Sequence, residues 1–343
     1  MKKDIKSFTL DALKNEMVLI GAQPFRAKQI YSWLHQRKVD RFDEMTDLSL
    51  SLRKQLKEKY YINRLEIKRK LVSKLDGTVK YLFELNDAEC IESVVMRYNH
   101  GNTICISSQV GCRMGCKFCA STIGGRVRNL TASEMLDQIN TAEKDLGENI
   151  SNVVMMGIGE PLDNFDNVIE FLTILSSKEG YNKSLRHLSL STCGVCDKID
   201  ELADKKLQLT LSISLHAPND GIRDQIMPIN HKWNVHELIS TCKRYIEKTG
   251  RRISFEYTMI HGVNDSDDCA RQLAALLEGM ICHVNLIPVN EVNETSFTKS
   301  EKARIINFSN ILNSKGVTTT VRRKLGADID AACGQLRRNE TRD

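Results

Sequence analysis

From about residue 102, this 343-residue chain alternates between short apolar runs and segments with helical periodicity. Nearly continuous apolar runs are typical of parallel strands that are buried on both faces of a sheet. Their regular alternation with helices predicts an α/β fold, either a β/α barrel or an open α/β sheet. The predicted strands are residues 103–107, 152–156, 188–191, 209–215, 253–259, 284–287 and 318–321. The predicted helices are residues 132–145, 166–175, 235–248, 267–278 and 299–314.

The first 60 residues differ in both pattern and charge. Residues 7–60 have helical spacing, and residues 1–60 hold 13 Lys or Arg against 8 Asp or Glu, which equals the whole formal net charge of +5. Such an excess fits a solvated helix surface or a domain that binds nucleic acid. Residues 64–98 contain strand-like runs with a hairpin signal at Asp76-Gly77. We therefore expect a basic helical accessory domain at 1–62, a β extension at 63–98 and a barrel at 99–343.

The composition argues against several classes of protein. No apolar run approaches the roughly 20 residues that a membrane-spanning helix needs. Acidic residues interrupt the N-terminus, which does not read as a signal peptide. We therefore expect a cytoplasmic protein with no membrane association. Eleven cysteines in that compartment indicate metal or redox chemistry rather than a disulfide framework.

Three cysteines form a C-x-x-x-C-x-x-C pattern at Cys112, Cys116 and Cys119. Three thiolates at this spacing can hold three corners of a cubane iron–sulfur cluster and leave the fourth iron open for a ligand. Two alternatives remain on spacing alone. The cysteines can belong to a zinc site with a remote fourth ligand, or they can be buried and chemically inert.

Polar residues recur just after the predicted strands. In β/α barrels the carboxyl ends of the strands build the active site, so we expect these residues to meet at one end of the sheet. Taken singly, each of them is better explained by a structural role, and only their recurrence at one end of the sheet indicates function. Glu160 follows a glycine pair, and a carboxylate there suits a cationic amino group. The residues are Gly157, Gly159, Glu160, Ser191, Thr192, Ser214, His216 and Asn290.

Seven motifs together resemble the radical S-adenosylmethionine (SAM) adenine C2-methyltransferases of 23S ribosomal RNA and tRNA. The resemblance covers essentially the whole chain, including GAQPFRAKQI near the N-terminus. A sister branch methylates adenine C8, and Glu160-Pro161-Leu162 is closer to the C2 branch. The motifs are CISSQVGCRMGCKFC, NVVMMGIGEPLDN, LSLSTCG, SISLHAPND, MPIN, HVNLIPVN and GADIDAACGQL.

The resemblance implies a fold and two cofactors. The fold is a partial (β/α)6 TIM-like barrel with a small N-terminal helical domain and a β extension. Cys112, Cys116 and Cys119 would hold a [4Fe–4S] cluster whose open iron binds SAM, and two SAM molecules would be used per turnover. The implied SAM contacts are Gly159, Glu160, Ser191, Ser214, Leu215, His216 and Asn290.

The resemblance also implies catalytic roles for three residues. Cys333 would accept a methyl group from one SAM, and radical chemistry with a second SAM would join that carbon to adenine C2. Cys105 would then resolve the protein–RNA adduct, leaving a transient disulfide with Cys333, and Glu92 would remove the C2 proton. Without the resemblance, both cysteines read as buried hydrophobes and Glu92 as an outward-facing strand residue.

The implied partners are 23S rRNA, tRNA and an electron donor such as a flavodoxin or ferredoxin. The basic N-terminal helices would grip the RNA, and Arg322, Arg323 and Lys324 either contact phosphates or solvate a strand end. A monomer is the default expectation for the oligomeric state. The C-x-x-C pair Cys193 and Cys196 matches no redox site of the family. Two alternatives stay open, namely C8 methylation and a zinc-stabilised RNA-binding protein without catalysis.

Overall fold

The structure is a computed structural model that describes residues 2–290, 295–331 and 334–336. Its main feature is a ten-stranded sheet in the order β14-β13-β12-β11-β10-β9-β6-β5-β4-β3. The strands are β1 (Lys3–Asp4), β2 (Tyr60–Tyr61), β3 (Glu66–Val72), β4 (Val79–Glu84), β5 (Cys90–Tyr98), β6 (Gly101–Cys105), β7 (Gln109–Gly111), β8 (Arg126–Asn129), β9 (Ile150–Met155), β10 (Leu188–Thr192), β11 (Thr210–Ser214), β12 (Ile253–Met259), β13 (Cys282–Pro288) and β14 (Thr319–Val321).

Every pairing from β6 through β9 to β14 is parallel. The predicted α/β architecture is therefore confirmed. The seven parallel strands correspond to the seven predicted from the sequence, one more than the (β/α)6 barrel that the resemblance implies. Strand β12 is buried along its whole length, as a strand covered on both faces must be. The helices are α1 (Leu10–Leu19), α2 (Arg26–His35), α3 (Leu50–Lys59), α4 (Ala132–Leu146), α5 (Phe165–Ser176), α6 (Cys196–Asp204), α7 (Asp220–Ile226), α8 (Val235–Thr249), α9 (Asp267–Leu276) and α10 (Lys302–Ser314).

Local sequence signals explain where the long barrel helices begin and end. Helix α4 starts with a capping box between Thr131 and Glu134 and ends at Gly147, which has φ +64°. Helix α8 starts at Asn234, whose side chain accepts the backbone N–H of Glu237. The sequence analysis missed α6 and α7, which have nine and seven residues and so offer little periodicity.

Helices α1 to α3 form a unit that docks on the barrel through α4. The ammonium group of Lys6 forms an ion pair with Asp137, and both side chains are almost fully buried. Asn63 Nδ2 donates to the same carboxylate at 2.8 Å. Because a buried charge must be paired to be tolerated, this contact fixes the unit against the barrel.

The β extension belongs to the same sheet as the barrel. Strands β3, β4 and β5 pair antiparallel with each other, and β5 pairs antiparallel with β6. In that pairing Val94 lies opposite Cys105, so β5 stands directly beside the first barrel strand. Within the described ranges, no helix is both long enough and apolar enough to span a membrane.

Candidate active site

The carboxyl ends of the parallel strands surround a cavity of about 940 Å³, a volume that includes space open to solvent. All three cysteines of the C-x-x-x-C-x-x-C pattern line this cavity, which we call the cysteine cavity. Six of the seven predicted SAM contacts line it as well. Its polar lining residues are Cys112, Cys116, Cys119, Ser121, Thr122, Glu160, Ser191, Thr192, Cys193, Ser214, His216, Glu256, Thr258, Asn290 and Arg322.

The loop that carries the three cysteines, residues 112–122, is called the cysteine loop. It is held by its own backbone and by α7. The Cys119 N–H donates to the carbonyl of Cys116 at 3.1 Å, and the Lys117 N–H donates to that of Ile226 at 3.0 Å. Gly111, which has φ +72°, directly precedes the loop. A Cβ on Gly111 would lie 2.0 Å from the carbonyl oxygen of Gly125. Only glycine fits this crossing of two backbones, so the position of the loop is set by packing.

The electrostatics of the loop suit a cationic cofactor. Burial raises the pKa of the Cys112 thiol to about 12 and the pKa of the Cys116 thiol well above its ordinary value, and neighbouring cysteines add to both shifts. Thiolates at these positions therefore require positive charge beside them, which iron supplies.

No group of three or more His, Cys, Asp or Glu side chains within the described ranges converges as a single metal ion requires. A structural zinc ion needs its four ligands around one point. The thiolates of a cubane bind different iron atoms and can lie farther apart. Three cysteines at this spacing, all lining one cavity, fit an iron–sulfur cluster.

Glu160 is buried at the edge of the cysteine cavity. Its two carboxylate oxygens accept the backbone N–H groups of Leu162 at 3.0 Å and Cys193 at 2.8 Å. Burial raises the pKa of this carboxyl, although the hydrogen bonds oppose the shift. Each oxygen can accept a further bond. Glu160 thus orders two loops and keeps capacity for a cationic ligand such as an amino group.

The glycines before Glu160 have a packing explanation. A Cβ on Gly157 would lie 2.6 Å from the carbonyl oxygen of Ile106, and a Cβ on Gly159 would lie 2.6 Å from Cβ of Gln109. Gly159 also has φ +104°, which disfavours other residues. The lack of a side chain at both glycines therefore lets the segment after β6 pack against them, and this requirement does not depend on any ligand.

His216 lines the cavity in a strained backbone conformation, with φ +57°. Its Nδ1 accepts the backbone N–H of Thr258 at 2.9 Å, and burial lowers the pKa of the imidazole to about 3. A neutral ring that accepts at Nδ1 carries its proton on Nε2. His216 therefore offers a fixed N–H donor. The predicted contact Leu215 is fully buried and is absent from the described lining residues.

Arg223 of α7 ties together the ends of β10 and β11. Its fully buried guanidinium donates to the backbone carbonyls of Cys193 at 2.7 Å and Leu215 at 3.1 Å, and to Asn230 Oδ1 at 3.1 Å. None of the described carboxylates forms an ion pair with it. Since Cys193 lines the cavity, Arg223 positions the cavity wall from behind.

Glu256 is a cavity residue that the sequence analysis missed. It lies buried on β12, where Oε1 accepts from Ser254 Oγ at 2.9 Å and Oε2 accepts from Asn285 Nδ2 at 2.8 Å. The available signal was one acidic residue in the predicted buried strand Ile253–Met259, whose other residues are uncharged. Such a residue is disfavoured in a buried strand unless it is hydrogen-bonded.

A second cavity of about 760 Å³ adjoins the first and is lined by Cys105, so we call it the Cys105 cavity. It is also lined by Arg322, Arg323 and Lys324, which were expected either to contact phosphates or to solvate a strand end. The two cavities share wall residues, so a group in one lies next to a group in the other. The shared residues are Met156, Ile287, Val289, Asn290 and Arg322.

Glu92 lies on the same face of β5 as Val94 and Met96, which line the Cys105 cavity, but it is not itself among the described lining residues. Its side chain is only about 10% exposed, and Oε1 lies 2.8 Å from Lys80 Nζ. The carboxylate is thus largely desolvated, which a general base requires, and it is balanced by a cation.

Cys333 lies outside the described residues, but its described neighbours border both cavities. Gly334 lines the cysteine cavity, and Ala331 lines the Cys105 cavity. The carbonyl of Gly334 accepts the Ala120 N–H at 2.7 Å, and the carbonyl of Leu336 accepts Ser121 Oγ at 2.9 Å. Residues 334–336 are therefore bound directly to the cysteine loop.

No disulfide within the described residues involves Cys193, Cys196, Cys242, Cys269 or Cys282. Cys193 lines the cysteine cavity and supplies a backbone N–H to Glu160, whereas Cys196 begins α6. Burial raises the pKa of the Cys193 thiol well above its usual value, as expected for an unreactive thiol.

Comparison with known proteins agrees with this geometry. Residues 106–273 match the family model of the radical SAM superfamily, and residues 3–62 match that of the ribosomal RNA large subunit methyltransferase N-terminal domain. A crystal structure of a radical SAM methyltransferase from Sphaerobacter thermophilus is 41% identical, with a TM-score of 0.93 over 98% of this chain and 100% of that one.

Two curated relatives carry the name probable dual-specificity RNA methyltransferase RlmN. The protein from Lachnospira eligens is 53% identical over 99% of this chain and 97% of its own length. The protein from Alkaliphilus oremlandii is 55% identical over 98% of each chain. Membership of the radical SAM superfamily implies a [4Fe–4S] cluster and SAM, and it favours the cluster over zinc. The chain belongs to the RlmN family of radical SAM methyltransferases.

Proposed function

We propose that the chain is a dual-specificity RNA methyltransferase that methylates C2 of an adenosine in 23S rRNA and C2 of an adenosine in tRNA. The observation that carries the proposal is the shared wall between the cysteine cavity and the Cys105 cavity. A reaction that starts on SAM and ends on a nucleobase needs two such adjoining sites. The names of the relatives support RNA as the substrate class.

Cys112, Cys116 and Cys119 would hold the cluster, and Glu160, Ser191, Ser214, His216 and Asn290 would bind SAM around it. When bound, the two cofactors supply one-electron cleavage of SAM and hence hydrogen abstraction. The chain itself orients them. Glu160 offers its carboxylate to the amino group, and His216 offers a fixed N–H donor. Gly159 and Leu215 contribute backbone at the ends of two strands.

Cys333 would accept the methyl group from one SAM and lose a hydrogen atom of that group to the radical derived from a second. The carbon would then add to adenine C2, and the thioether adduct would form as one electron passes to the oxidised cluster and the C2 proton to Glu92. The Cys105 thiolate would attack the Cys333 sulfur and break its bond to the carbon, which takes up a proton as the methylated base leaves. A thiol reductant would return the Cys105–Cys333 disulfide to two thiols. The position of Cys105 in the cavity that borders Ala331 supports this role. Cys105 is itself buried, which favours its attack on Cys333 over exchange with thiols in solution.

Glu92 would accept the C2 proton of the adduct. Its support is a desolvated carboxylate on the same strand face as residues of the Cys105 cavity. Lys80 would hold that carboxylate in its charged form, because a nearby cation favours a carboxylate over a carboxylic acid.

The target adenine must leave its stack to reach the cavity, as other base-modifying enzymes require. The basic helical domain at 1–62 would hold the surrounding RNA, and an electron donor such as a flavodoxin or ferredoxin would reduce the cluster. We also propose that the chain acts as a monomer and in the cytoplasm, where ribosomal RNA and tRNA are made and modified.

The test is mass spectrometry of nucleosides from ribosomal RNA and tRNA that were treated anaerobically with the reconstituted protein, SAM and a reductant. The proposal predicts 2-methyladenosine from both RNAs. 8-Methyladenosine would keep the chemistry and move the assignment to the sister branch. A cluster-loaded protein that yields no methylated adenosine would overturn the proposal.

A further inference from the structure

Two aromatic rings stack at the turn between β5 and β6. The rings of Tyr98 and His100 are nearly parallel, with centroids 5.1 Å apart and an interplanar angle of 15°. Tyr98 is half-buried and lines the Cys105 cavity, whereas His100 is exposed. The pair therefore continues from the cavity wall out to the solvent.

The same cavity has a cationic lining. Lys299, Arg322, Arg323 and Lys324 line it, and no acidic residue is among its described lining residues. The rest of the wall is largely apolar and includes Val94, Met96, Leu325 and Leu336. An apolar pocket with cations suits a nucleobase whose flanking phosphates remain near the opening.

We propose that Tyr98 and His100 form a stacking platform for the nucleotide next to the target adenosine, while Arg323 and Lys324 hold the adjoining phosphates. The inference rests on the proposed function. When one base leaves its stack, its neighbour loses a stacking partner, and an aromatic ring replaces that partner. The stacked pair carries aromatic surface from the cavity wall to the solvent, and the RNA would approach the cavity along it.

Stacking also fits an enzyme with two different RNA substrates. Every base has a π face, so a ring platform tolerates different neighbours of the target, whereas hydrogen-bond readout does not. The cations likewise contact phosphates that all RNAs share. The platform would therefore fix where the adenosine enters without requiring one sequence around it.

The experiment uses the full-length, cluster-loaded protein and a synthetic RNA hairpin with an unpaired adenosine in its loop and 2-aminopurine beside it. Stacking on a ring quenches 2-aminopurine fluorescence, and titration of the protein gives Kd. With the unaltered protein we expect quenching on binding. Tyr98→Ala and His100→Ala should each lose quenching and weaken Kd by about 5- to 150-fold, the range for one lost base–aromatic stack.

Matched variants separate stacking from folding. Tyr98→Phe keeps the ring and should keep the quenching, and His236→Ala removes an exposed histidine on α8 and should bind as the unaltered protein does. Iron content and Tm show that each variant is folded. Arg323→Ala and Lys324→Ala should each reduce the slope of log Kd against log salt by about one, as a lost phosphate contact does.

The outcomes distinguish the two proposals. If the unaltered protein neither binds nor methylates RNA, the proposed function fails and the platform fails with it. If it binds and methylates RNA, but Tyr98→Ala and His100→Ala bind with unchanged Kd and unchanged quenching, the function stands and the platform is wrong.

Discussion

Lys80 Nζ lies 2.8 Å from Glu92 Oε1 and 3.2 Å from the backbone carbonyl oxygen of Asp330. One cation on β4 therefore joins the proposed proton acceptor to the segment that precedes Cys333. Hydrogen bonds from the β3–β4 turn hold the same segment, because the Asp328 carboxylate accepts Ser73 Oγ–H at 2.7 Å and the Lys74 N–H at 2.9 Å. The β3–β4 hairpin thus holds residues 326–331 from one side, and the cysteine loop holds residues 334–336 from the other.

Replacing Lys80 by Met should destabilise the protein strongly. Glu92 would keep its buried charge without the Lys80 cation beside it, which costs on the order of 3 kcal/mol in the free energy of unfolding. Urea denaturation under anaerobic conditions measures the change. The matched control is Lys68→Met on the same hairpin, since Lys68 pairs with Glu84 at 3.2 Å in a far more exposed setting. That control should change the free energy by less than about 1 kcal/mol.

The double variant Lys80→Met with Glu92→Leu tests the cause of that loss. If the loss of the cation beside Glu92 is responsible, removing both charges should recover much of the stability, because apolar replacements of a buried ion pair are often close to neutral. A double variant as unstable as Lys80→Met alone would instead assign the loss to the contact with Asp330.

Replacing Cys116 by Ala should abolish cluster binding while the fold remains. A [4Fe–4S] cluster with only two protein thiolates lacks one of its three corner ligands. Iron, acid-labile sulfide and visible absorbance after anaerobic reconstitution measure the loss, and Cys112→Ala and Cys119→Ala should behave alike. Cys242→Ala removes a fully buried cysteine that lines neither cavity, and it should retain the full iron content. A Cys116→Ala protein with unchanged iron would contradict the cluster assignment.

Replacing Cys105 by Ala should trap the protein on its RNA. The proposed mechanism joins Cys333 to the base before Cys105 releases it, so the variant should accumulate a covalent adduct that survives a denaturing gel. Cys90→Ala changes a cysteine on the neighbouring strand β5 and should release methylated RNA normally. Free, unmodified RNA from Cys105→Ala would mean that Cys105 is not the resolving thiol.

Several of the barrel strands were predictable because they are short, nearly continuous apolar runs. The prediction of residues 253–259 matches β12 residue for residue, and that of 188–191 is one residue shorter than β10. The cysteine cavity was also predictable, since parallel strands bring their carboxyl ends to one edge. Ser191 and Ser214, 23 residues apart in sequence, end on adjacent strands with their hydroxyl oxygens 3.5 Å apart.

The Cys105 cavity was not predictable from local pattern. It depends on the antiparallel pairing that places Val94 opposite Cys105, and a register shift of one residue in β5 would turn Val94 to the other face of the sheet. The ion pair of Lys80 with Glu92 depends in the same way on the register of β4 with β5. Such register is fixed by long-range packing, which a single sequence does not display.

His35 should make the stability of the N-terminal unit depend on pH. It is buried between Tyr31 and Tyr181, neither ring nitrogen has a partner within the described part of the chain, and burial lowers the pKa of the imidazole to about 3. In the unfolded chain the pKa is near 6.5, so between pH 6.5 and 3 the unfolded state binds a proton that the folded state does not. Stability is therefore full above pH 6.5 and falls as the pH decreases below it.

Comparison of the unaltered protein with His35→Leu isolates this contribution. The difference in unfolding free energy between the two proteins should change by about 1 kcal/mol between pH 7 and pH 5.5. The variant should gain stability relative to the unaltered protein at the lower pH. Urea denaturation at the two pH values measures it. His236→Gln alters an exposed histidine and should leave the pH dependence unchanged. If the curves of His35→Leu and the unaltered protein stay parallel, His35 is either protonated in the folded protein or reached by solvent.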